Sequence, residues 1–368
     1  LSSVRKPLPP EGSFLMREHR RTLILFVVTM LTLSLQLRLY SQKAGGQNFV
    51  ETVSNVGTSA GAFLEIGVGA RAQAMGGAYV ALANDVSAMY WNPAGISRLD
   101  RIEVMFTFSE WLVDTRHTYA GIVFPLGGVG AIGANVTSFG MPDQPVRAIG
   151  QEEGTGEFYS AGDFALGVSF AYNFTDRFSL GISTRYINER IWHTSANGFA
   201  LDIGALYQTQ WKGLRMGFSL SNFGTNLQLS GRDLLNAVDP DKNNSGVENI
   251  NVNYSTGEFP LPLIFRFGLS QQFEVVTEHH LITVSADVSH PSNNVESINI
   301  GLEYMLYKMI GMRAGYESLF DQDRINGLTF GLGISADFYG GIGTYFDYAY
   351  ADWGVFNAVH RLSLRMTF

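Results

Sequence analysis

Leu328-Thr329-Phe330-Gly331-Leu332-Gly333-Ile334-Ser335-Ala336-Asp337 decides how this chain is read. Its odd and even positions are chemically different: Leu328, Phe330, Leu332, Ile334 and Ala336 alternate with Thr329, Gly331, Gly333, Ser335 and Asp337. Successive side chains of a strand point to opposite faces, so this is a strand with one apolar face and one small, polar face. The same period recurs on both sides. Phe178, Leu180, Ile182 and Tyr186 oppose Ser179, Gly181, Ser183 and Arg185. Ile282, Val284, Ala286 and Val288 oppose Thr283, Ser285 and Asp287, and Ile298, Ile300, Leu302 and Tyr304 oppose Ser297, Asn299, Gly301 and Glu303. At the end of the sequence Leu362, Leu364, Met366 and Phe368 oppose Arg361, Ser363, Arg365 and Thr367.

Read this way, the stretch 101–368 contains fourteen strands, over 101–111, 115–125, 128–138, 164–174, 178–191, 196–208, 213–222, 262–273, 279–289, 296–306, 310–318, 326–338, 341–351 and 356–368. Every even-to-odd link is short, as at Leu126-Gly127, Thr175-Asp176-Arg177, Tyr307-Lys308-Met309 and Tyr339-Gly340. The two long links, Phe139–Asp163 and Phe223–Leu261, both run odd to even. Short periplasmic turns, longer outer loops and an even strand count characterise a transmembrane barrel. A two-sheet sandwich gives no reason for that asymmetry, and its wet face is rich in Lys, Glu and Thr rather than Gly. The fold expected is therefore all-β, a transmembrane antiparallel β-barrel of about 14 strands with lipid on its apolar face. Closure also leaves no unpaired sheet edge in lipid.

Composition agrees. Of 368 residues, 16% are charged against 46% hydrophobic and 13% aromatic, with 41 glycines. Charged residues make up about 25% of a soluble domain, so much of this surface need not face water. The net charge of −8 comes without a basic run, which argues against a nucleic-acid partner. The chain has no cysteine, which excludes disulfides, thiol catalysis and thiolate metal sites.

Charges on the small-residue face are Arg185, Asp202, Arg266, Asp287, Glu303, Arg313, Glu317, Asp337, Asp347, Arg361 and Arg365. Their mixed signs predict ion pairs across the lumen wall, because unpaired charges in a narrow interior are costly. Such a face suits either a polar conduit or a filled lumen.

Residues 16–41 read as a secretory signal: Arg17, Arg20 and Arg21, then an apolar run from Leu23 to Leu31 that is short for a membrane span. Residues 1–15, ahead of Met16, read as an over-long start. Between the signal and the strands, 42–100 has another texture, dominated by small residues, with Asn92-Pro93 fixing a turn and Gly95 following it.

Gly69-Ala-Arg71-Ala-Gln-Ala-Met75-Gly76-Gly77-Ala78, followed by Asp85-Val-Ser-Ala-Met-Tyr-Trp-Asn92-Pro93-Ala-Gly95, resembles the PorV/PorQ family within the FadL-like outer-membrane barrels. The Asn-Pro-Ala-Gly turn is shared with FadL-like transporters, and Phe108-Ser-Glu-Trp111 is closer to PorV-type members. The resemblance implies a fourteen-stranded barrel of the bacterial outer membrane, with the N-terminal segment near or inside the lumen. It also implies a part in type IX secretion, with a translocon and exported cargo proteins as partners. FadL-like relatives instead carry hydrophobic molecules, a role that here needs an apolar pocket lined by Ala60–Leu64 and Val80–Leu82. A third reading is a structural subunit of a surface assembly that makes its contacts through loops 139–163 and 223–261. Phe368 resembles the terminal aromatic that signals barrel assembly, and it also suits an interfacial girdle.

No motif points to catalysis, a metal or a cofactor. Gly128-Val-Gly130-Ala-Ile-Gly133 matches the dinucleotide pattern but leads into more strand, not the helix that pattern needs. Asp239–Gly246 lacks the Gly and Glu placement of a calcium loop. His279, His280 and His290 have no metal-site spacing, and no G-x-S-x-G elbow occurs.

Overall fold

The computed structural model describes residues 55–240, 250–275, 279–319, 325–338 and 341–368. The expected start at 1–15, the signal at 16–41 and most of the 239–246 loop lie outside the described residues.

Fourteen strands form the wall: β1 Glu103–Glu110, β2 Arg116–Pro125, β3 Gly130–Gly140, β4 Ala161–Thr175, β5 Phe178–Ile191, β6 Thr194–Gln208 and β7 Arg215–Gly224 make one half. The other half is β8 Ile264–Glu274, β9 His280–Pro291, β10 Ser297–Leu306, β11 Ile310–Leu319, β12 Leu328–Asp337, β13 Gly343–Asp352 and β14 Ala358–Thr367. Each pairs antiparallel with its sequence neighbours, and β1 pairs with β14 from Glu103↔Thr367 to Glu110↔His360, which closes the cylinder. No strand end differs from the sequence reading by more than three residues.

The two faces separate as the alternation demands. On β12, Leu328, Phe330, Leu332 and Ile334 are exposed while Thr329, Gly331 and Gly333 are buried. On β4, Phe164, Leu166, Val168, Phe170 and Tyr172 form the outward row. Scattered apolar side chains are common on a soluble surface, but complete rows on neighbouring strands mark a lipid contact.

The short links end the even strands: 176–177, 307–309 and 126–129 are examples. At the other end, 141–160 and 225–263 are long, while β5 and β6 meet through Trp192 and His193 alone. The long links carry small antiparallel ribbons that the alternation did not predict, Gln144–Pro145 with Phe158–Tyr159 and Leu235–Val238 with Ile250–Asn253. Their strands are too short, and too weakly alternating, to stand out in a sequence.

Candidate functional site: the filled lumen

The lumen is occupied by residues 57–100. Two short helices, α1 Ala70–Ala74 and α2 Ala88–Trp91, are joined to a 3₁₀ turn at Pro93–Arg98, and nearly all of 66–97 is buried. A helix of four or five residues is not stable alone, so these turns depend on the wall around them.

The segment makes one circuit of the inner wall. The Ala70 N–H donates to Ser363 Oγ of β14 at 2.8 Å, and Thr329 Oγ of β12 donates to the Ala74 carbonyl at 3.2 Å. The N–H groups of Tyr79 and Val80 donate to Asp287 Oδ2 of β9 at 2.7 and 2.8 Å. Asn92 Nδ2 donates to the Ala205 carbonyl of β6 at 3.0 Å and to the Val80 carbonyl at 2.9 Å. Finally, Asn173 Nδ2 of β4 donates to the Ser97 carbonyl at 3.0 Å. An irregular backbone at membrane depth is tolerated only when its polar groups are matched this way.

The circuit runs on glycine. A Cβ at Gly331 would strike Ala74, at Gly315 the Gly76 backbone nitrogen, and at Gly301 the Met75 carbonyl. Round the wall, Gly217 meets the Val80 carbonyl, Gly204 the Asn92 side chain, and Gly181 the Pro93–Ala94 peptide. Gly76 has φ +64° and its own missing Cβ faces the Tyr316 backbone, so two glycines are needed where plug and β11 touch. The Gly-rich inward face thus has a structural cause, which the sequence reading did not identify. The signal available was one glycine at inward parity on many consecutive strands.

Charge fixes the β10–β13 side. Arg71 of α1 makes a two-pronged bond to Glu303 of β10, Nε to Oε1 and Nη2 to Oε2, each at 2.8 Å. Arg313 Nε donates to the same Glu303 at 2.7 Å, and its Nη1 donates to Asp347 of β13 at 2.6 Å. The Arg313–Asp347 pair passes over β12 at Gly333, where a side chain would collide with it. Arg71 Nη1 also donates to Asn84 Oδ1 at 2.8 Å and to Tyr79 Oη at 3.1 Å. The Tyr79 hydroxyl donates to Asp85 Oδ2 at 2.6 Å, and Asp85 accepts the Ser87 N–H at 2.9 Å. Burial of such charges is tolerable because every one has partners.

The residues singled out from the sequence fall into place unevenly. Gly69, Arg71, Met75, Gly76, Gly77, Asp85, Asn92, Pro93 and Gly95 all lie on the circuit. Arg185 pairs with Asp202, and Arg365 of β14 reaches Glu103 at 3.3 Å while its guanidinium lies 3.8 Å from the Tyr345 ring centroid. Arg266 lies over aromatic faces, Tyr90 and Trp91 at 5.7 and 5.5 Å, and within electrostatic reach of Glu65 and Asp287. Asp337 has inward parity but is exposed at the short-turn rim, beside a cavity of about 530 Å³ also lined by Arg98, Asp100, Arg101 and Glu103. Phe368 is 51% exposed, its N–H donating to the Ile102 carbonyl at 2.9 Å. Glu103, a partner in the rim pair, was not among the residues read from the sequence.

Phe63 and Leu64 pack with Ala165, Ile187, Ala196, Leu227 and Leu261, and Val80 and Leu82 are buried against the circuit and wall. The stretches that a hydrophobic channel would use as lining are therefore in contact with the wall.

Two solved structures share the architecture. One is the monoaromatic hydrocarbon channel CymD, 14% identical, with 82% of this chain aligned to 97% of that chain at a TM-score of 0.53. The other is the toluene transporter TodX of Pseudomonas putida, 13% identical, with 82% of this chain aligned to 96% of that chain at a TM-score of 0.50. At such identities the likeness is one of fold, the FadL-like outer-membrane barrel. No curated protein matches the sequence. The family described as type IX secretion system protein PorV matches residues 49–236, which take in the circuit, strands β1 to β7 and part of the long loop that follows. That match spans more than half of a chain that folds as a closed outer-membrane barrel: this protein belongs to the PorV family and resides in the bacterial outer membrane.

Proposed function

We propose that this barrel works by binding rather than by conduction, as an escort component of a type IX-like secretion route that takes exported proteins from a translocon to the cell surface. The observation that carries the reading is the filled lumen. Its backbone is hydrogen-bonded from β14 round to β4, and the plug seats closely on wall glycines from β12 to β5. A barrel closed in this way has its lipid belt and its end loops as working surfaces.

The loops at the long-link end suit a protein partner. Val113 is 81% exposed and Val355 88%, on neighbouring links because β1 and β14 are paired. Ile149 and Phe158 are exposed on the 141–160 link. Family membership supports the secretion role, and the packing of Phe63, Leu64, Val80 and Leu82 weighs against a hydrophobic-molecule channel. The reading includes a removable signal at 16–41 and no catalysis.

Affinity capture of the tagged chain from detergent-solubilised membranes tests it. The expected result is co-recovery of a secretion-channel subunit together with surface-exported cargo. Recovery of neither, combined with loss of uptake of a lipophilic compound in a deletion strain, would replace this reading by the channel.

A further inference from the structure

We propose that the periplasmic mouth of the lumen holds a small oxyanion, a phosphate or carboxylate group, between Arg215 of β7 and Arg71 of α1. The two arginines line a cavity of about 50 Å³ together with Asn84, Ser270, Gln272, Thr283 and the apolar Leu82. One water needs about 10–15 Å³ of such space, so the cavity takes a few waters or one compact anion.

The chemistry of the lining selects the sign. Six of the seven lining side chains offer an N–H or O–H donor, and none is a carboxylate. Ser270 and Thr283 are each 2% exposed, and among the described residues no hydrogen bond engages either hydroxyl. Arg71 is already committed to Glu303, Tyr79 and Asn84. Arg215 is half-buried, and among the described residues its guanidinium has no hydrogen-bond or ion-pair partner. A guanidinium carries five N–H donors in a fixed fork that matches carboxylate and phosphate oxygens. Gln272 is exposed at the mouth, which gives a path from the periplasm. The larger rim cavity contrasts with this one: Asp100, Glu103 and Asp337 line it beside Arg98 and Arg101, so carboxylates outnumber guanidiniums there.

The test is thermal unfolding of the full detergent-solubilised chain, followed by circular dichroism in inorganic phosphate, in acetate and in chloride at matched ionic strength. A ligand that binds only the folded state raises the midpoint as its concentration passes its dissociation constant. Phosphate or acetate should raise the wild-type midpoint saturably above the chloride value. Whichever of the two acts at lower concentration identifies the preferred oxyanion. Arg215→Gln should abolish the rise, and Arg215→Lys, which keeps charge but loses the fork, should keep only part of it. If R215Q does not refold, R215K decides alone, and an undiminished rise in R215K overturns the site. So does a wild-type chain that responds to phosphate and acetate no more than to chloride, or an R215Q variant that responds like the wild type.

Discussion

The plug is held on its two sides by different means. Against β10 to β13 glycine seats at Gly301, Gly315 and Gly331 are joined by charge: Arg71, Glu303, Arg313 and Asp347 form one chain of ion pairs. Against β5, β6 and β7 it is fixed by shape, with Asn92, Pro93 and Val80 pressed onto Gly181, Gly204 and Gly217. The charged side sets register, because a two-pronged guanidinium–carboxylate pair tolerates little displacement. On the β5–β7 side depth is set at Gly181 and Gly217, where the plug's backbone lies on the wall and cannot give way as a side chain can. A segment whose helices are four and five residues long needs both.

Substitutions on the two sides separate these roles. The largest effect belongs to Glu303→Ala, which leaves Arg71 and Arg313 buried without their shared carboxylate. Removing one partner of a buried pair costs about 3–5 kcal/mol, so the midpoint in urea should fall steeply and protease should reach the plug. A loss below about 1 kcal/mol, the range of exposed pairs, would mean that the network is not load-sharing.

Gly181→Val comes next. Ordinary overpacking costs about 1–3 kcal/mol, and here the clash is with the Pro93–Ala94 peptide rather than a movable side chain. Lifting the turn from the wall should speed hydrogen exchange at Tyr79 and Val80, whose amides donate to Asp287. Unchanged exchange would show that the two sides are independent.

Asn92→Ala is smaller. It strips the Val80 and Ala205 carbonyls of a donor, an expected loss of about 1–3 kcal/mol. The comparison sharpens if N92A and G181V together cost less than the sum of the two, since both loosen one seat. The smallest change in stability should come from replacing 144–158 by a short Gly-Ser link: within about 0.5 kcal/mol, as for most surface changes, yet with loss of partner capture. Retained capture would move the binding surface elsewhere on the outer end.

The wall was legible because alternation is a direct imprint of the pleat: Leu328 to Asp337 reads outward and inward without knowledge of any neighbour. Pairing was only half legible. Mixed charges at Glu303 and Arg313 announced ion pairs, but Arg71 lies far away in sequence, and only the barrel's closure brings it to Glu303. Glu103 sits at the first residue of β1, where no alternation had yet built up to mark it as inward. Arg266 shows the limit of charge reading, since the groups its guanidinium lies over are the faces of Tyr90 and Trp91. The glycine track was present as residues but not as an idea. Gly181, Gly204, Gly217, Gly301, Gly315 and Gly331 looked like small polar-face filling until the plug lay on them. The loop ribbons left no sequence signal, because pairs such as Gln144–Pro145 with Phe158–Tyr159 are too short to show a period.

Single-channel recording in planar bilayers addresses the filled lumen most directly. The account predicts no steady conductance from the wild-type chain, and conductance in E303A, where the plug has lost its charged anchor. A steady, ohmic current through the wild-type barrel would contradict it.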